Sequence, residues 1–297
     1  MRSLNGHVGA IRALAYAPGP EPLLATAGDD RHVRLWHAAT GEPVERMPAS
    51  DGLLSLAFSP DGKRLAAGGR SGSIIAYDVA TRQRDPGATA ITGSVVSLAF
   101  TADGRALLAG TRSPYAVGQA RCVTCWNLAP LHPPEALVWS GDLEGVAFAP
   151  MRDLLAIAGY GRSVEFLEVG RPRNEPAFWM PGRVRALAFS PGEGRYLAVA
   201  GGRTVGVWDV QARQWRSHCS GHKGDVNAVC FSPDGLTLLS GGMDRSVRLF
   251  ETLSGRQLTA WDWKVGVVGA LAFAADGMTA AVAGEKAQVI VWDVDEG

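Results

Sequence analysis

Residues 220–235 read SGHKGDVNAVCFSPDG and residues 248–251 read RLFE, and close variants of both phrases return along the whole chain. Each variant holds an apolar run, a turn built on Asp-Gly or a related pair, a second apolar run, and an aromatic residue before an acid. The aromatic residue preceding the turn recurs at spacings of 42, 42, 48, 41, 42 and 42 residues. Its seven positions are Tyr16, Phe58, Phe100, Phe148, Phe189, Phe231 and Phe273. A period of about 40 residues predicts a solenoid or a propeller.

Within each copy the local pattern is that of β-structure. IRALAYA, LLSLAFS and VRALAFS are apolar runs of strand length with little helical period. The turns SPDGKR and SPDGLT favour hairpins, because glycine adopts positive φ at little steric cost. Two more apolar runs and a polar fourth segment, such as EPVERMP or WRSHCS, complete the copy. Seven copies of four antiparallel strands predict an all-β, seven-bladed propeller, forming one domain over residues 1–297.

Four signatures carry a family resemblance: Gly6-His7 ahead of Trp36, Gly221-His222 ahead of Phe250-Glu251, Trp208-Asp209, and Trp292-Asp293. Because they recur in register over roughly residues 5–294, the chain resembles the WD-repeat β-propellers. The resemblance implies that the N-terminal segment, Arg2 to Asn5, pairs outside residues 289–294 and closes the ring. Such pairing removes a strand edge that would otherwise invite aggregation. The shortness of this clasp leaves open that the chain is a piece of a longer protein.

The resemblance also implies a buried hydrogen-bond network in each strong repeat. It joins a His, an Asp in the turn between strands two and three, a Ser or Thr on strand two, and a Trp on strand three. Copy one offers His7, Asp30, Thr26 and Trp36, and copy six offers His222, Asp244 and Ser240, with Phe250 in the Trp position. Both histidines are therefore expected to be structural, neither metal ligands nor general bases. The other copies lack the His and carry Ser71, Ala120, Gly161, Gly202 and Lys286 at the Asp position.

The composition excludes several classes of partner. Lys and Arg number 29 against 29 Asp and Glu, which argues against a general affinity for nucleic acid or anionic membrane. The N-terminal apolar stretch is broken by Gly9 and Arg12, so it indicates a strand and not a signal peptide, and we expect a cytosolic protein.

Cys122 and Cys125 have the CxxC spacing of redox and zinc motifs. Strand residues three apart point to opposite faces of a sheet, so we interpret the two cysteines as ordinary strand residues. The abundance of Ala, Gly and Arg suggests a high-GC bacterium.

No enzyme motif is recognisable, so we predict no catalytic activity, metal or cofactor. Asp30 and His32 in GDDRH are neighbours in a tight turn, and Asp30 already belongs to the expected network. The Asp-Gly acids are spread around one rim: Asp61, Asp103, Asp234 and Asp276. LAAGGRSGS opens no helix and so makes a poor phosphate cradle. An enzyme or small-molecule binder using the central channel stays open as an alternative, and it would need converging polar side chains or a metal.

One column of arginines stands out, five residues before the Trp position. Its members are Arg31, Arg121, Arg162, Arg203 and Arg245, with Arg70 and Lys286 beside the two exceptions, Gly72 and Ala287. All lie in the loops between strands two and three. A ring of guanidinium groups suits an acidic or phosphorylated peptide, because the planar fork binds carboxylate or phosphate bidentately. The alternative is that these are solvated side chains of a common turn.

Two further features complete the candidate binding surface. The third copy has a loop longer by six or seven residues, TRSPYAVGQARC, which holds Arg112, Tyr115 and Arg121. Trp261 and Trp263 stand where other copies have Gly-His, either filling the missing His position or offering an anchor, and Tyr160 joins them from copy four. We predict a non-enzymatic interaction scaffold for a protein or peptide, monomeric or part of a larger chain. A regulatory or sensor module of a multidomain protein is the alternative.

Overall fold

The computed structural model describes residues 1–19, 23–85, 89–112, 121–127, 135–140, 143–149, 154–159, 162–168 and 175–296. Their strands form seven four-stranded antiparallel sheets, which confirms the predicted all-β propeller of seven blades. Within these ranges helix is confined to one 3₁₀ turn, Val294–Glu296, and no helix is long and apolar enough to cross a membrane.

The blades follow one another along the chain. Blade 1 holds β2 (Ile11–Tyr16), β3 (Leu23–Gly28), β4 (His32–His37) and β5 (Pro43–Pro48). Blade 2 holds β6 (Leu53–Phe58), β7 (Arg64–Gly69), β8 (Ser73–Asp78) and β9 (Thr89–Ala90). Blade 3 holds β10 (Ser94–Phe100), β11 (Ala106–Arg112), β12 (Arg121–Asn127) and β13 (Glu135–Ser140). Blade 4 holds β14 (Leu143–Phe148), β15 (Leu154–Gly159), β16 (Ser163–Glu168) and β17 (Glu175–Trp179).

The last three blades repeat the plan. Blade 5 holds β18 (Val184–Phe189), β19 (Tyr196–Gly201), β20 (Thr204–Asp209) and β21 (Gln214–Cys219). Blade 6 holds β22 (Val226–Phe231), β23 (Thr237–Gly242), β24 (Val247–Glu251) and β25 (Gln257–Trp261). Blade 7 joins β26 (Val268–Phe273), β27 (Thr279–Gly284) and β28 (Gln288–Asp293) to β1 (Arg2–Asn5), the first strand of the chain.

The ring closes through this mixed blade. The first strand of every blade contacts the first strand of the next, and β26 contacts β2. Strand β1 pairs antiparallel with β28, with Arg2 opposite Val291 and Asn5 opposite Gln288. The N-terminal clasp expected from the sequence is therefore present, and the outer edge of β28 is covered.

The core is divided into seven apolar clusters, each between two neighbouring blades. The second strand of each blade supplies much of it, because a strand inside a packed sheet is buried on both faces. This is why LLATAG, RLAAGG and YLAVAG are continuous runs of apolar and small residues without polar alternation. The cluster between blades 7 and 1 contains Leu4, Ile11 and Trp36 with Val289, so it ties the clasp to both blades.

Antiparallel strands place the connecting loops on two opposite faces. We call the face with the loops between strands two and three the 2–3 rim, and the face with the Asp-Gly turns the 1–2 rim. On the 1–2 rim, Asp61 accepts hydrogen bonds from the Ser59 hydroxyl at 2.6 Å and the Lys63 amide at 3.1 Å. The Ser59 bond holds the pKa of Asp61 below its usual value. Asp103 and Asp234 cap equivalent turns, so these acids stabilise turns.

Candidate functional site

Blade 1 contains a continuous hydrogen-bonded chain at the 2–3 rim, which we call the blade-1 lock. His7 Nδ1 lies 2.9 Å from Asp30 Oδ2 and His7 Nε2 lies 2.7 Å from Thr26 Oγ1. Trp36 donates its indole N–H to Thr26 Oγ1 at 2.9 Å, and the Val8 amide donates to Asp30 at 3.2 Å. All four side chains that were predicted to form the network in blade 1 are therefore joined by hydrogen bonds.

The direction of these bonds fixes the protonation of His7. A carboxylate only accepts, so Nδ1 carries the proton toward Asp30, and Nε2 accepts the hydroxyl proton of Thr26. The Thr26 oxygen then accepts from Trp36, and each polar group has a partner. Burial lowers the pKa of His7 despite the neighbouring Asp30. The lock thus requires a neutral imidazole, which suits a structural histidine.

Blade 6 contains a shorter version, the blade-6 lock. His222 Nδ1 lies 3.0 Å from Asp244 Oδ2, and its Nε2 lies 2.7 Å from Ser240 Oγ. Burial alone would raise the pKa of Asp244, but hydrogen bonds from the Lys223 amide and His222 bring it down to about 2. Phe250 offers no N–H to Ser240, so the chain is one link shorter than in blade 1.

The two locks predict a pH dependence of stability. Burial lowers the pKa of both His7 and His222 from 6.5, so the unfolded chain binds protons more readily than the folded one. Their contribution is complete above pH 6.5 and is lost as the pH falls through 6.5 toward the folded pKa. We expect the free energy of unfolding to drop by up to about 1.4 kcal/mol per pH unit per histidine below that point. Urea unfolding at a series of pH values measures it.

A matched pair of variants isolates the two histidines. His7→Asn/His222→Asn is expected to flatten the pH dependence, whereas His218→Asn, at an exposed position, is expected to preserve it. The window between pH 6.5 and 5 suits the test, because Asp244 titrates near its lowered pKa of about 2. Equal slopes in the wild type and the double variant would contradict the assignment.

Blade 2 holds a polar substitute that the sequence did not reveal. Asp51 accepts hydrogen bonds from the amide and hydroxyl of Ser71 and, at 2.6 Å, from the hydroxyl of Ser73. Blade 2 lacks both the His and the turn Asp of the motif, so the motif predicts no lock there. For blade 2 that prediction was incomplete. The acid and its partners have exchanged places: the acid precedes the first strand, and the turn supplies the donors.

Blades 5 and 7 replace the lock with apolar packing. Met180 is buried at the entry to blade 5, and the buried indole N–H of Trp208 has no hydrogen-bond partner among the residues that the structure describes. In blade 7, Trp261 and Trp263 stack at 6.1 Å between ring centres and both pack on Trp292, at 5.6 and 5.3 Å. The two tryptophans thus lie largely inside the blade, in the space a lock would occupy.

The first strands of the seven blades start around the mouth of the central channel on the 2–3 rim. Near these starts lies a second set of equivalent residues, which the sequence pattern did not indicate. Every first strand contains a β-bulge near its start, which leaves one residue out of the pairing. The bulged residues are Arg12, Leu54, Val96, Glu144, Arg185, Asn227 and Gly269. A bulge re-aims a side chain, and here four of the seven are polar or charged.

Three described carboxylates at this mouth each contact at least one arginine of a neighbouring blade. Asp29 contacts Arg12 at 2.8 Å and Arg70 at 2.7 Å, and the hydrogen bond from Arg12 holds its pKa below the usual value. Glu144, only 5% exposed, contacts Arg183 and, at 3.6 Å, Arg112. Two of the candidate arginines, Arg70 and Arg112, are thus engaged in ion pairs between blades. Arg185 pairs similarly with Asp225 at 3.2 Å.

The other arginines of the predicted column are exposed: Arg31, Arg162, Arg203 and Arg245. None of the four forms an ion pair with another residue that the structure describes. Tyr115 and Tyr160 lie outside the described residues, as does the side chain of Arg121. Their predicted part in binding stays a prediction.

The equally spaced arginines of the predicted column differ in backbone conformation from blade to blade. Arg31 and Arg245 adopt left-handed φ values of 62° and 66°, where Gly72 stands in blade 2 at 93°. An L-residue there costs roughly 1 kcal/mol relative to glycine. In blade 5 the loop has only two residues, and Gly202 takes the positive φ of 60° ahead of Arg203. The turn therefore does not itself favour arginine in blades 1 and 6.

An exposed tryptophan lies beside this column. Trp179, 69% exposed, ends β17 opposite Ser163, and the amide of the next residue donates to the carbonyl of Arg162 at 2.7 Å. Phe178 and Met180 are buried on either side of it, so alternation along the strand turns Trp179 outward; the apolar triplet FWM does not by itself show which of the three residues is exposed. Aromatic and arginine side chains together are typical of binding hot spots.

Among the described residues, no cluster of three or more His, Cys, Asp and Glu side chains could hold a metal ion. Burial raises the pKa of the Cys219 and Cys230 thiols to about 12, which makes both poor nucleophiles. The chemistry of the described rim is therefore that of charge and aromatic contact.

Comparison with known proteins agrees with this architecture. The profile of the family described as "WD domain, G-beta repeat" matches residues 1–37, 41–78 and 214–251. The chain is similar to THO complex subunit 3 of Arabidopsis thaliana, with 33% identity over 76 residues, 26% of this chain and 24% of that protein. It is similar to eukaryotic translation initiation factor 3 subunit I of Coccidioides immitis, with 40% identity over 80 residues, 25% of this chain and 23% of that protein.

A third relative, Coronin-7 of Mus musculus, is 37% identical over 76 residues, 25% of this chain and 8% of that protein. Each match therefore spans less than a quarter of the relative's length. Two of the three relatives are, by name, subunits of larger complexes. The matched repeats, the two locks and the closed ring of seven four-stranded sheets make this chain a WD-repeat seven-bladed β-propeller.

Proposed function

We propose that the chain is a non-enzymatic interaction scaffold that binds an acidic or phosphorylated segment of a partner protein on the 2–3 rim. The observation that carries the proposal is the exposed Trp179 beside the exposed Arg162, which forms no ion pair with the residues that the structure describes. Arg31, Arg203 and Arg245 extend the positive charge around the same rim. Guanidinium groups recognise carboxylate or phosphate bidentately, and an exposed tryptophan supplies contact area at low entropic cost.

The backbone strain at two arginines supports a role beyond the turn itself. Arg31 and Arg245 occupy left-handed positions that glycine would fill at less cost. A residue kept in a disfavoured conformation points toward function when it is exposed and makes no structural contact. The relatives' names, as subunits of complexes, agree with a scaffold, and the partner and the cytosolic location remain proposals.

Affinity purification from the source organism's lysate tests the proposal. Trp179→Ala and Arg31→Gly/Arg245→Gly are each expected to weaken partner binding about thirtyfold, the effect of losing a hot spot of roughly 2 kcal/mol. The matched control is Arg105→Ala, an exposed arginine on the 1–2 rim. Glycine tolerates the positive φ, so the double variant is expected to fold.

Phosphatase treatment of the lysate separates the two ligand classes. Loss of retention after treatment would identify a phosphorylated segment, and unchanged retention would identify Asp and Glu side chains. If wild type and both rim variants retain the same partners equally, the 2–3 rim is not the binding face.

A further inference from the structure

A second basic surface lies on the side of the propeller, outside the loops of the 2–3 rim and adjoining that rim at His32. It is a groove of about 600 Å³ between β5 of blade 1 and the segment that follows β8 in blade 2. We call it the blade 1–2 groove. Its walls carry Arg46, Arg82 and Arg84 with Glu45, and its floor carries Met47 and Tyr77. Three guanidinium groups face one carboxylate in a chain whose total charge is zero.

Two of these arginines are held in place by named contacts. Arg46 donates through Nη2 to His32 Nε2 at 2.9 Å. His32 Nδ1 lies 2.7 Å from the Asp30 carbonyl, which only accepts, so Nδ1 carries the proton and Nε2 is free to accept. Arg82 reaches across the blade boundary to Glu45 at 3.6 Å. The groove is therefore lined by positioned charges on two blades.

The backbone at Arg82 adds an independent observation. Its φ is 61°, while the matching left-handed positions in blades 1 and 6 are Gly41 at 80° and Gly255 at 71°. The turn after β8 would be less strained with glycine, yet the side chain present extends into the groove and contacts the next blade. Arginine therefore stands at a position where the backbone conformation of the turn favours glycine.

We propose that the blade 1–2 groove binds an acidic segment of a partner protein in extended conformation, as a site separate from the 2–3 rim. The charge excess selects carboxylates, which pair bidentately with arginine. Recognition runs through side chains and not through an added strand, because Glu45 Oε1 already accepts the outward amide of Arg46 at 3.0 Å. Tyr77 is only 3% exposed, so the groove offers no aromatic face for stacking a nucleobase.

Fluorescence anisotropy with a labelled peptide of alternating Glu and Leu tests the groove. Arg82→Gly is expected to weaken binding at least about tenfold, because it removes one of the three positive charges. It is expected to fold at least as well as wild type, since glycine suits a φ of 61°. Arg213→Gly is the matched control: its φ is 52°, it relieves the same strain in blade 5, and it should bind like wild type.

The remaining arms decide between the two basic surfaces. Weakening by Arg82→Gly with no effect of Arg31→Gly/Arg245→Gly supports the groove. Weakening by the rim variant alone assigns the peptide to the 2–3 rim, which overturns the groove proposal and leaves the rim proposal standing. Equal binding of a Gln-for-Glu peptide, or no saturable binding to wild type at millimolar peptide, also overturns it.

Discussion

Leu4→Asp is expected to lower the free energy of unfolding by more than about 4 kcal/mol, because it places a carboxylate in a buried apolar site. Leu4 is 2% exposed and packs with Ile11, Trp36 and Val289 between blades 7 and 1. Domains of this kind are stable by roughly 5–15 kcal/mol, so one substitution removes a large part of the total. Urea unfolding followed by tryptophan fluorescence measures the loss.

Asn5→Asp is the control, since it adds the same charge to the same strand at an exposed position. It is expected to change stability by less than about 0.5 kcal/mol. Leu4→Asp should also promote self-association in size-exclusion chromatography, because releasing β1 exposes the edge of β28. Similar stabilities of the two variants would show that the clasp does not hold the ring.

The repeat period made the architecture predictable. Seven copies at nearly even spacing, each with a turn between two apolar runs, specify the blades because the same local rules apply in every copy. The family resemblance added the clasp and the two locks, because it assigns their residues by position relative to Gly-His and Trp. Leu4 opposite Val289 is a long-range pairing, and the same resemblance implies it through the clasp of Arg2 to Asn5 on residues 289–294.

The channel mouth was not predictable in the same way. A bulge shifts the pairing by one residue, and runs such as LLS or VVS look the same with or without the shift. Asp29 pairs with Arg12 of its own blade and with Arg70 of blade 2, which lies 41 residues further along the chain and across a blade boundary. Spacing within one copy carries no information about such contacts, which depend on how two blades pack.

The Asp51 network of blade 2 and the exposure of Trp179 were not predictable from the sequence, for two different reasons. The Asp51 network keeps the chemistry of a lock but reverses the order of acid and donors, so a motif with fixed order misses it. Trp179 stands in an apolar triplet, and its exposure follows only once the strand phase of β17 is known. The arginine column, in contrast, was predictable from its regular spacing. The spacing did not show that in blade 5 the positive φ belongs to Gly202 and not to the arginine.

Thr26→Val is expected to lower the free energy of unfolding by about 2–4 kcal/mol while barely changing shape. The hydroxyl is fully buried, accepts from Trp36 and donates to His7. Its loss leaves two buried polar groups without partners, each costing about 1–3 kcal/mol. Ser240→Ala in blade 6 orphans only His222, because Phe250 has no N–H, and should cost about half as much.

Adding Trp36→Phe to Thr26→Val tests the link between the indole and the hydroxyl directly. Phenylalanine removes the orphaned N–H, as Phe250 does in blade 6, so the second substitution should cost about 1 kcal/mol less in the Thr26→Val background than in wild type. The comparison cancels the packing lost when an indole becomes a phenyl ring, since both backgrounds lose it. Strictly additive effects would show that Trp36 gains nothing from Thr26. A coupling of the expected sign would mean that blade 1 and blade 6 are two self-consistent versions of one lock. In blade 6, Phe250 brings no indole N–H that would need an acceptor, so the Ser240 hydroxyl has only His222 to satisfy.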